Sequence, residues 1–559
     1  MEQKLTSTIR ELYGLDVQPQ ISRPAPEFGD YATNVALQLA GKVGKNPREI
    51  AEEIAAKLRA TNEFTEVTIA GPGFINVRVS GASLARQINE AWSDTFGENQ
   101  DGAGKIVIVE YPSPNMAKPY SVGHLRPGNQ GWAARQLMKA TGWNVITDNH
   151  LGDYGAPLGI WITGFRRFSS DEALEKGGVY ELGRVYIAMK KELKEELERG
   201  ETTLADEVQN WLLKYESGDA EAVAYSERFN KISLEHIHTI MGRLKISTDL
   251  ELGEAFFAPQ GKAAVQTLLN SGVATQNDDG SVIVPLDGFD VPLLVQKSNG
   301  AALYATTDLA TMLYREENTH PDRVIHAVGA EQQFYFSQLF AMAKKLGITT
   351  ELIHLWFGTI DQLNDDGSRE KMSSRKGVVL MEELLNQAEE KARAVVEGRD
   401  VSDEDVKKIA LGAIKYSDFI SDRRTNILFD WNTIFALTGV SGPYVQYAAV
   451  RVNKILRENG QGEGLVEEYD YTAEKDVIAK LLEYPETVRR AANELEPHKI
   501  ASYLYELARE LNRYYEATPV AMSDVEGTVR EARLGVLAKA SQVFSHGLNL
   551  IGIEVPSQM

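Results

Sequence analysis

The chain has 559 residues, a formal net charge of −21 at pH 7 and no cysteine. Its length predicts three or four domains at about 150 residues each, and the lack of cysteine excludes disulfides, thiolate nucleophiles and cysteine-based metal sites. The acidity argues against a protein that coats nucleic acid indiscriminately, but local basic patches could still hold a selective nucleic-acid partner.

The sequence also predicts where the protein works. No window approaches the ~20 apolar residues of a membrane span, and the N-terminus has no apolar signal core. Cysteine-free chains suit a reducing compartment. We therefore expect a cytoplasmic protein without a membrane partner.

Residues 1–85 are predicted to form a small α/β domain. The stretch "NPREIAEEIAAKL" places Ile50, Ile54 and Leu58 on one helical face. The stretch "TEVTIAGPGFINVRVS" alternates like two strands around a Gly-Pro-Gly turn. Phe74, in this hairpin, is either an exposed contact residue or part of the core.

From residue 100 to about 395 the pattern is that of a Rossmann-like domain. The buried strand "KIVIVE", the helix "GNQGWAARQLMKATG" and the strand "WNVITDNH" form a βαβ unit, which implies a parallel sheet. The pattern returns with "DRVIHAVG", a helix and "LIHLWFGTI". Residues from about 165 to 295 form an insertion between these halves.

Residues 396–559 are predicted to be an all-α bundle. In "ASYLYELARELNRYY", three leucines follow the i, i+3, i+7 spacing of a buried helix face: Leu504, Leu507 and Leu511. The predicted class is therefore multidomain α/β, with a parallel-sheet central domain, a small N-terminal α/β domain and a C-terminal helical bundle.

Three stretches carry candidate chemistry, and the first follows the strand that ends at Glu110. There "EYPSPNMAKPYSVGHLRP" presents Lys118 and His124 in a Pro/Gly-rich loop before a helix N-terminus. Open α/β sheets bind ligands at this place, and the helix dipole favours an anion there. The alternative is an ordinary βα turn. A P-loop is excluded because "DGAGKI" lacks its first glycine and the Ser/Thr after Lys105.

The second stretch, "LYATTDLATMLYR", places Tyr304 and Asp308 four residues apart. Asp308 is either a helix N-cap or, with Glu110 and Asp153, part of a pocket for a cation such as a guanidinium. The third stretch, "DDGSREKMSSRKGVVL", interleaves cations with serines and glycine. It is either a solvated surface loop or a loop that wraps a polyphosphate.

These stretches, in this order, resemble a known family. "SVGHLRP" and the later "KMSSRKG" are similar to the paired HIGH and KMSKS signatures of class I aminoacyl-tRNA synthetases. "EYPSPNMAKPYSVGHLRP", "DNHLGDYG", "LYATTDLA", "GAIKYSDF" and "GPYVQYAAVR", with the N-terminal "FGDYATNVALQLAGKVGKNPREIAEEI", resemble arginyl-tRNA synthetases in particular. The resemblance covers nearly the whole chain.

The resemblance implies an arginine–tRNA ligase. Arginine would be activated by ATP to arginyl-adenylate, and the arginyl group would pass to the 3′ end of arginine-specific tRNA. It also implies that activation requires bound tRNA. The implied catalytic residues are Lys118, His124 and Lys371. The implied arginine-binding residues are Glu110, Ser113, Asn115, Tyr304, Asp308 and Gln332. The implied ATP-binding residues are Lys118, Gly123, His124, Gly329, Lys371, Met372, Ser373 and Lys376.

The resemblance also implies tRNA contacts. Phe74 and Asn76 match positions that touch the tRNA elbow, where stacking plus an amide hydrogen bond can read an unpaired base. Tyr444 and Gln446 are candidates for anticodon-loop contact or for packing. We expect a monomer. We also expect no dedicated protein metal site, because His236 and His238 do not share a helix face. Mg²⁺ would accompany ATP.

Two departures from the family pattern matter. Ser121 replaces the first histidine of HIGH, so that phosphate contact is weaker or made by another group. Ser374 replaces the second lysine of KMSKS, for which Lys118 can substitute. Two rivals follow: a plain nucleotidylyltransferase without tRNA, and a catalytically inactive homologue that binds tRNA without consuming ATP.

Overall fold

The computed structural model describes residues 2–559 except 23, 62, 301–302, 364–366, 373–378, 461, 463–464, 467–468 and 519–526. The chain forms two compact units. The first comprises Met1–Gly97, Ala448–Glu486 and Tyr505–Ser545, and the second Glu98–Tyr447, Thr487–Leu504 and His546–Met559. The domain boundaries predicted from the sequence stay predictions.

The strands are short, and most belong to small sheets. In chain order they are β1 Ile21–Ser22, β2 Tyr31–Thr33, β3 Phe64–Ala70, β4 Phe74–Val79, β5 Ile106–Glu110, β6 Asn144–Asp148, β7 Thr275–Gln276, β8 Val282–Val284, β9 Leu293–Gln296, β10 Arg323–His326, β11 Glu351–His354, β12 Ile360–Leu363, β13 Arg369–Lys371 and β14 Ile427–Leu428.

Helices make up most of the rest of the described chain. In chain order they are α1 Glu2–Tyr13, α2 Val35–Val43, α3 Pro47–Arg59, α4 Gly81–Ala91, α5 Leu125–Ala140, α6 Ala156–Phe168, α7 Asp171–Glu198, α8 Thr203–Glu216, α9 Ala220–Arg243, α10 Glu254–Phe257, α11 Gly261–Asn270, α12 Tyr304–Asn318, α13 Gln333–Leu346, α14 Met381–Val395, α15 Asp403–Asp418, α16 Trp431–Ile434, α17 Gly442–Asn459, α18 Lys475–Leu482, α19 Tyr484–Glu494, α20 His498–Ala517 and α21 Gly527–Leu550.

The first unit contains the N-terminal antiparallel sheet, in the order β1-β2-β4-β3. Asn46 begins α3, because its side chain accepts a hydrogen bond from the Arg48 N–H. The predicted stripe is confirmed: Ile50, Ile54 and Leu58 are fully buried against this sheet. The predicted hairpin is confirmed as β3 and β4.

The second unit is built on the predicted parallel sheet, in the order β11-β10-β5-β6. All three strand pairs in it are parallel. The inner residues of β5, Val107 to Val109, are at most 2% exposed, as a strand covered on both faces requires. Gly142, with φ 81°, follows α5 and turns the chain back toward β6.

The register of this sheet aligns the last residues of its strands. Glu110 pairs with His326 on one side and with Asp148 on the other, and His326 pairs with His354. Polar residues that are far apart in sequence therefore share the carboxyl edge of the sheet.

The segment between β6 and β10 holds α6 to α11 and a small antiparallel sheet, β7-β8-β9. The long helices α6, α7 and α9 share a core around Trp161 and Phe229. The small sheet packs with α11 to α13. This segment includes residues 165–295, the insertion predicted from the sequence, whose boundaries stay a prediction.

From α14 onward the described chain is almost entirely helical, as predicted, with β14 as a two-residue exception. Leu504, Leu507 and Leu511 are fully buried, which confirms the predicted face of α20. Among the described residues, none of the helices is long and apolar enough to cross a bilayer. The predicted fold class is confirmed.

Candidate active site

A cavity of about 540 Å³ opens at the carboxyl edge of the parallel sheet in the second unit. It brings together most of the residues that the sequence pointed to, although they come from distant parts of the chain. These are Glu110, Ser113, Asn115, Gly123, His124, Tyr304, Asp308, Gly329, Gln332, Lys371 and Met372. Ser373 and Lys376 lie outside the described residues.

Glu110 ends β5 and is already engaged by groups of the chain. Its Oε2 accepts a hydrogen bond from Arg315 Nη2 at 2.8 Å, and its Oε1 lies 3.2 Å from His326 Nδ1. Arg315 Nη2 also donates to Asp148 at 2.8 Å. Although burial raises it, the charges of His326 and Arg315 hold the pKa of Glu110 well below its usual range. Glu110 is therefore ionised and paired.

The carboxyl groups of Asp308 and Glu254 also line the cavity. The Tyr335 hydroxyl donates to Asp308. Burial raises the pKa of Asp308. Burial, with the charges of Asp308 and Asp153, raises the pKa of Glu254 to about 7. Within the described part of the chain neither group has a cationic partner at ion-pair distance, so a cation that enters would stabilise their ionised forms.

Asp308 does not cap its helix. The N-cap of α12 is Leu303 and the helix begins at Tyr304, so Asp308 lies inside it. The N-cap alternative is therefore wrong. Asp153 does not reach the cavity as the pocket hypothesis required; it accepts a hydrogen bond from the Ala255 N–H at 2.8 Å instead.

His150 also lines the cavity, and the sequence analysis missed it. Both of its ring nitrogens are buried and have no hydrogen-bond partner among the described residues. Its ring stacks on Phe257 at 5.7 Å between centroids. Buried polar groups are normally paired, so these nitrogens indicate a ligand or water in the cavity.

The loop after β5 presents polar groups to the cavity. Ser113 has φ 52°, an uncommon conformation for a residue with a side chain. Its N–H donates to Asn149 at 3.2 Å, while its hydroxyl is buried without a partner among the described residues. Asn115 bridges to Gly152 in the loop after β6. The two loops are thus held together at the cavity wall.

His124 lies at the N-terminus of α5, where the HIGH-like motif was predicted to meet phosphate. Its Nδ1 accepts a hydrogen bond from the Ser121 N–H at 3.2 Å. Burial lowers the pKa of His124 to about 4, so the ring is neutral at pH 7. A neutral imidazole that accepts at Nδ1 carries its proton on Nε2. His124 can therefore donate one hydrogen bond from Nε2 to an anion.

Ser121 orients the ring of His124 through its contact with Nδ1. Ser121 is 9% exposed and does not line the cavity. Its backbone N–H lies 3.2 Å and its hydroxyl 3.3 Å from His124 Nδ1. Any residue at this position could supply the backbone hydrogen bond. With Ser121 in place of the first histidine, the motif lacks one imidazole side chain. The backbone hydrogen bond that orients the second histidine, His124, is still present.

Hydrogen bonds join the HIGH-like loop to the start of α14. Val122 N–H donates to Val379 O at 3.0 Å, and Met381 N–H donates to Tyr120 O at 2.9 Å. Residues 379–381 begin two residues after Gly377, the last residue of the KMSKS-like stretch. The backbone that follows this stretch is therefore hydrogen-bonded to the HIGH-like loop.

Lys371 ends β13 and lines the cavity. Its Nζ lies 2.9 Å from Glu331 Oε1, at an exposed position. A hydrogen bond to its own backbone N–H and the charge of Lys371 hold the pKa of Glu331 below its usual range. The lysine is thus held beside the cavity by a weak, solvent-accessible pair.

Lys118 is placed differently from the prediction. It does not line the cavity, and its Nζ lies 4.9 Å from the centroid of the Tyr186 ring. Burial lowers the pKa of Lys118, and the neighbouring Lys190 lowers it further. Lys118 is therefore near the site but turned toward α7.

The predicted tRNA-contact residues differ in exposure. Phe74 is 41% exposed, so the alternative that it belongs to the core is wrong, while Asn76 is 7% exposed on the same strand. In the second unit, Gln446 is fully buried and its Nε2 donates to the Lys408 and Glu554 carbonyls. Gln446 is therefore a packing residue. Tyr444 is half-buried in the first turn of α17.

The sequence analysis missed His150, Glu254, Glu331, Tyr335 and Arg315. His150 stood inside the quoted stretch "DNHLGDYG" and two residues after the strand end, which was a usable signal. Arg315 follows Asp308 at i+7, on the same helix face. Glu254, Glu331 and Tyr335 carried no local signal.

Comparison with known proteins agrees with this geometry. Residues 88–431 match the family described as tRNA synthetases class I (R), catalytic domain. Residues 1–79 match the arginyl tRNA synthetase N terminal domain, and residues 445–559 match the DALR anticodon binding domain. The parallel sheet with paired signature loops is thus the catalytic domain of a class I aminoacyl-tRNA synthetase.

Individual relatives narrow this class. The chain is 35% identical to an arginine–tRNA ligase of Clostridium perfringens over 96% of this chain and 95% of that protein. It is 34% identical to one of Chromobacterium violaceum over 97% and 96%. The arginyl-tRNA synthetase structure of Thermus thermophilus superposes with a TM-score of 0.80, at 24% identity, over 100% of this chain and 99% of that chain. The chain belongs to the arginyl-tRNA synthetase family, whose members are ATP-dependent arginine–tRNA ligases.

Proposed function

We propose that the cavity at the carboxyl edge of the parallel sheet is the active site in which this arginine–tRNA ligase activates arginine. One observation carries the proposal: all six residues predicted for arginine line the same cavity as five of those predicted for ATP, Gly123, His124, Gly329, Lys371 and Met372. We call the part with Glu110, Asp308, Glu254 and His150 the carboxyl end. We call the part with His124, Lys371 and the N-terminus of α5 the cation end.

The carboxyl end takes the arginine side chain. Asp308 and Glu254 have no cationic partner among the described residues, so they are the groups that a guanidinium would pair with. Glu110 has Arg315 and His326 on its oxygens, but each carboxylate oxygen can accept a second hydrogen bond. The planar guanidinium matches carboxylates bidentately, which a lysine ammonium cannot do. Ser113, Asn115 and Gln332 would hold the α-amino and α-carboxylate groups, with Tyr304 at the rim.

The cation end takes ATP. Gly123 and Gly329 let the backbone approach the nucleotide, and the N-terminus of α5 favours its phosphates. His124 Nε2–H would donate to a phosphate oxygen, and Lys371 would leave Glu331 for the pyrophosphate. Met372, Ser373, Lys376 and Lys118 are the other residues proposed to act on ATP.

The reaction needs positioning and charge stabilisation more than covalent help from the protein. The arginine carboxylate attacks the α-phosphorus, the bond to the bridging oxygen breaks, and pyrophosphate leaves with the electron pair. The tRNA 3′-terminal hydroxyl then attacks the activated carbonyl and AMP leaves. His124 and Lys371 would stabilise the negative charge that accumulates on the phosphate oxygens. Mg²⁺ would arrive with ATP as part of the substrate.

The tRNA would contact the chain at several places. Phe74, exposed at the start of β4, and Asn76 are proposed to touch the tRNA elbow, and Tyr444 the anticodon arm. We also propose that the enzyme works as a monomer in the cytoplasm.

Arginine-dependent exchange of pyrophosphate into ATP tests the proposal. It is run with and without arginine-specific tRNA, and with lysine as the control amino acid. We expect exchange with arginine only, and only when tRNA is present. Folded protein that shows no exchange in any condition would contradict the proposal and favour the inactive tRNA-binding alternative.

A further inference from the structure

Two lysines from separate elements lie over one tyrosine ring beside the active-site cavity. Lys118 Nζ lies 4.9 Å and Lys190 Nζ 5.8 Å from the centroid of Tyr186. Tyr186 is in turn packed on Trp161, at 5.5 Å between centroids. Lys118 and Tyr186 are half-buried, and Lys190 is exposed. The three residues form a cationic, aromatic surface, of which only Lys118 has a proposed role in ATP binding.

The loop after β5 and the helix α7 approach each other closely at this surface. Tyr186 and Lys190 are four residues apart on α7 and so share one face. One turn earlier, at Gly183, a Cβ would lie 3.0 Å from Pro119 Cδ. The glycine lets the loop after β5 approach the helix, which brings Lys118 over the Tyr186 ring.

The two lysines are unpaired, unlike their neighbours. Among the described residues neither Lys118 nor Lys190 has a carboxylate at ion-pair distance. On the same helix, Lys191 lies 3.8 Å from Glu195, and Lys194 lies 3.7 Å from Glu198. In a chain with a net charge of −21, two adjacent cations without a carboxylate mark a place for an anion.

This surface lies beside the cavity. Lys118 follows Asn115, which lines the cavity, by three residues, and the ring of Tyr120 lies 4.7 Å from that of His124. Tyr304, which lines the cavity and is 70% exposed, has its pKa raised by burial, by Glu254 and by Tyr186. Lys118 lies near enough to His124 to help lower the pKa of that ring. A chain that leaves the cavity past Tyr304 would therefore meet Tyr186 and the two lysines.

We propose that Lys118, Lys190 and Tyr186 bind the unpaired 3′ strand of the tRNA, next to the terminal nucleotide that enters the cavity. The lysines take a phosphodiester and the tyrosine ring takes the adjoining base. Single-stranded nucleic acid is bound in this way elsewhere, by cations along the backbone and aromatic rings under the bases. The inference rests on the proposed function, because it assumes that the tRNA end reaches the cavity.

A phosphate of ATP is the other possible ligand of the same chemistry, and the position of Lys190 favours tRNA. Lys190 is exposed on α7 and does not line the cavity. An aromatic ring beside two cations can bind a base and its neighbouring phosphate together. A polyphosphate has no base that would use the ring. Lys118 would then serve both ligands, while Lys190 and Tyr186 would serve only tRNA.

The experiment crosses protein variants with a truncated tRNA. Dissociation constants are measured for arginine-specific tRNA, intact or without its unpaired 3′ nucleotides, with wild type, Lys190→Ala, Tyr186→Leu and the control Lys191→Ala. We expect Lys190→Ala and Tyr186→Leu each to weaken intact tRNA by about tenfold and to leave truncated tRNA unchanged. Lys190→Ala should also lower the salt dependence of binding by about 0.7 in the log–log slope.

Three outcomes would overturn the proposal. Equal weakening of intact and truncated tRNA would place the contact elsewhere on the tRNA. A raised KM for ATP in pyrophosphate exchange, with tRNA binding unchanged, would assign the surface to ATP phosphates. No change in either would assign it no ligand. Circular dichroism and the thermal midpoint show that each variant is folded. The binding cycle needs no catalysis, so its result is separate from any failure of the exchange assay.

Discussion

Arg315 Nη2 donates to Glu110 and to Asp148, at 2.8 Å in both cases, at the carboxyl edge of the sheet. The protein thus places one of its own guanidinium groups beside the cavity that is proposed to bind the guanidinium of arginine. The three side chains are at most 9% exposed. The single charge of Arg315 partly offsets the charges of Glu110 and Asp148. Among the described residues, Asp308 and Glu254 have no such cationic partner.

Replacement of Arg315 by glutamine should destabilise the second unit. It leaves two buried carboxylates without a cation, which typically costs about 3–5 kcal/mol of unfolding free energy. Urea denaturation measures the effect. Arg393→Ala is the matched control, because Arg393 pairs with Asp403 at an exposed position; its midpoint should not move. Equal midpoints for both variants would contradict the role given to Arg315.

Asp308→Asn should impair arginine recognition. The change keeps the shape of the side chain but removes the charge that pairs with the guanidinium, and one buried charge-assisted contact is worth about 2–5 kcal/mol. We expect kcat/KM for arginine in pyrophosphate exchange to fall by about a hundredfold, with KM for ATP nearly unchanged. An equal rise in both KM values would instead indicate general disruption of the cavity.

The pKa of Glu254 is raised to about 7, so the proposed binding of arginine should depend on pH. The ionised carboxyl pairs with the guanidinium and the protonated one does not, so KM for arginine should fall as the pH rises from 6 to 8. Glu254→Gln should remove this dependence. A profile that keeps the same slope in Glu254→Gln would assign the titration to another group.

The same shift predicts how stability changes with pH. The folded protein keeps the Glu254 proton above the ordinary value of 4.5, whereas the unfolded chain loses it. This group should therefore lower the unfolding free energy as the pH rises from 4.5 to about 7. Glu254→Gln should flatten that part of the curve, as measured by denaturation at several pH values.

His124 and Ser121 should respond very differently to mutation. His124→Ala removes the Nε2–H donor and should lower kcat for exchange by about a hundredfold or more. Ser121→Ala keeps the backbone N–H that supports His124, so its effect should be within about threefold. Because the pKa of His124 is lowered to about 4, activity at saturating arginine should show no acid limb from this group near pH 6.5. A large loss in Ser121→Ala would show that its hydroxyl has its own role.

Lys371 and Glu331 should have opposite effects on ATP. Lys371→Ala removes a phosphate contact and should raise KM for ATP and lower kcat. Glu331→Gln frees Lys371 from its 2.9 Å pair, so KM for ATP should fall slightly, by less than about threefold for an exposed pair. Initial rates over a range of ATP concentrations measure both. A raised KM in Glu331→Gln would mean that Glu331 itself helps to bind the nucleotide.

Local patterns predicted much of the fold. The apolar run of β5, the helix stripe of α3 and the leucine face of α20 each follow from burial on one or two sides of an element, and the structure has all three. Asp308 could not be decided in this way. Whether it caps α12 or lies inside it depends on where the helix begins, and one aspartate fits both.

The sequence by itself determined the family, through signature residues in a fixed order, and it predicted which residue types would meet the phosphates and the guanidinium. Only the tertiary structure decided how they are paired. Arg315 pairs with Glu110 and Lys118 lies over Tyr186, and both contacts join residues far apart in the chain. His150 lines the cavity without a hydrogen-bond partner among the described residues, which is also a result of the packing. Periodicity predicts which face of a single helix or strand is buried. The partner of a buried charge depends instead on which side chains the packed elements bring within hydrogen-bond distance, and these come from distant parts of the chain.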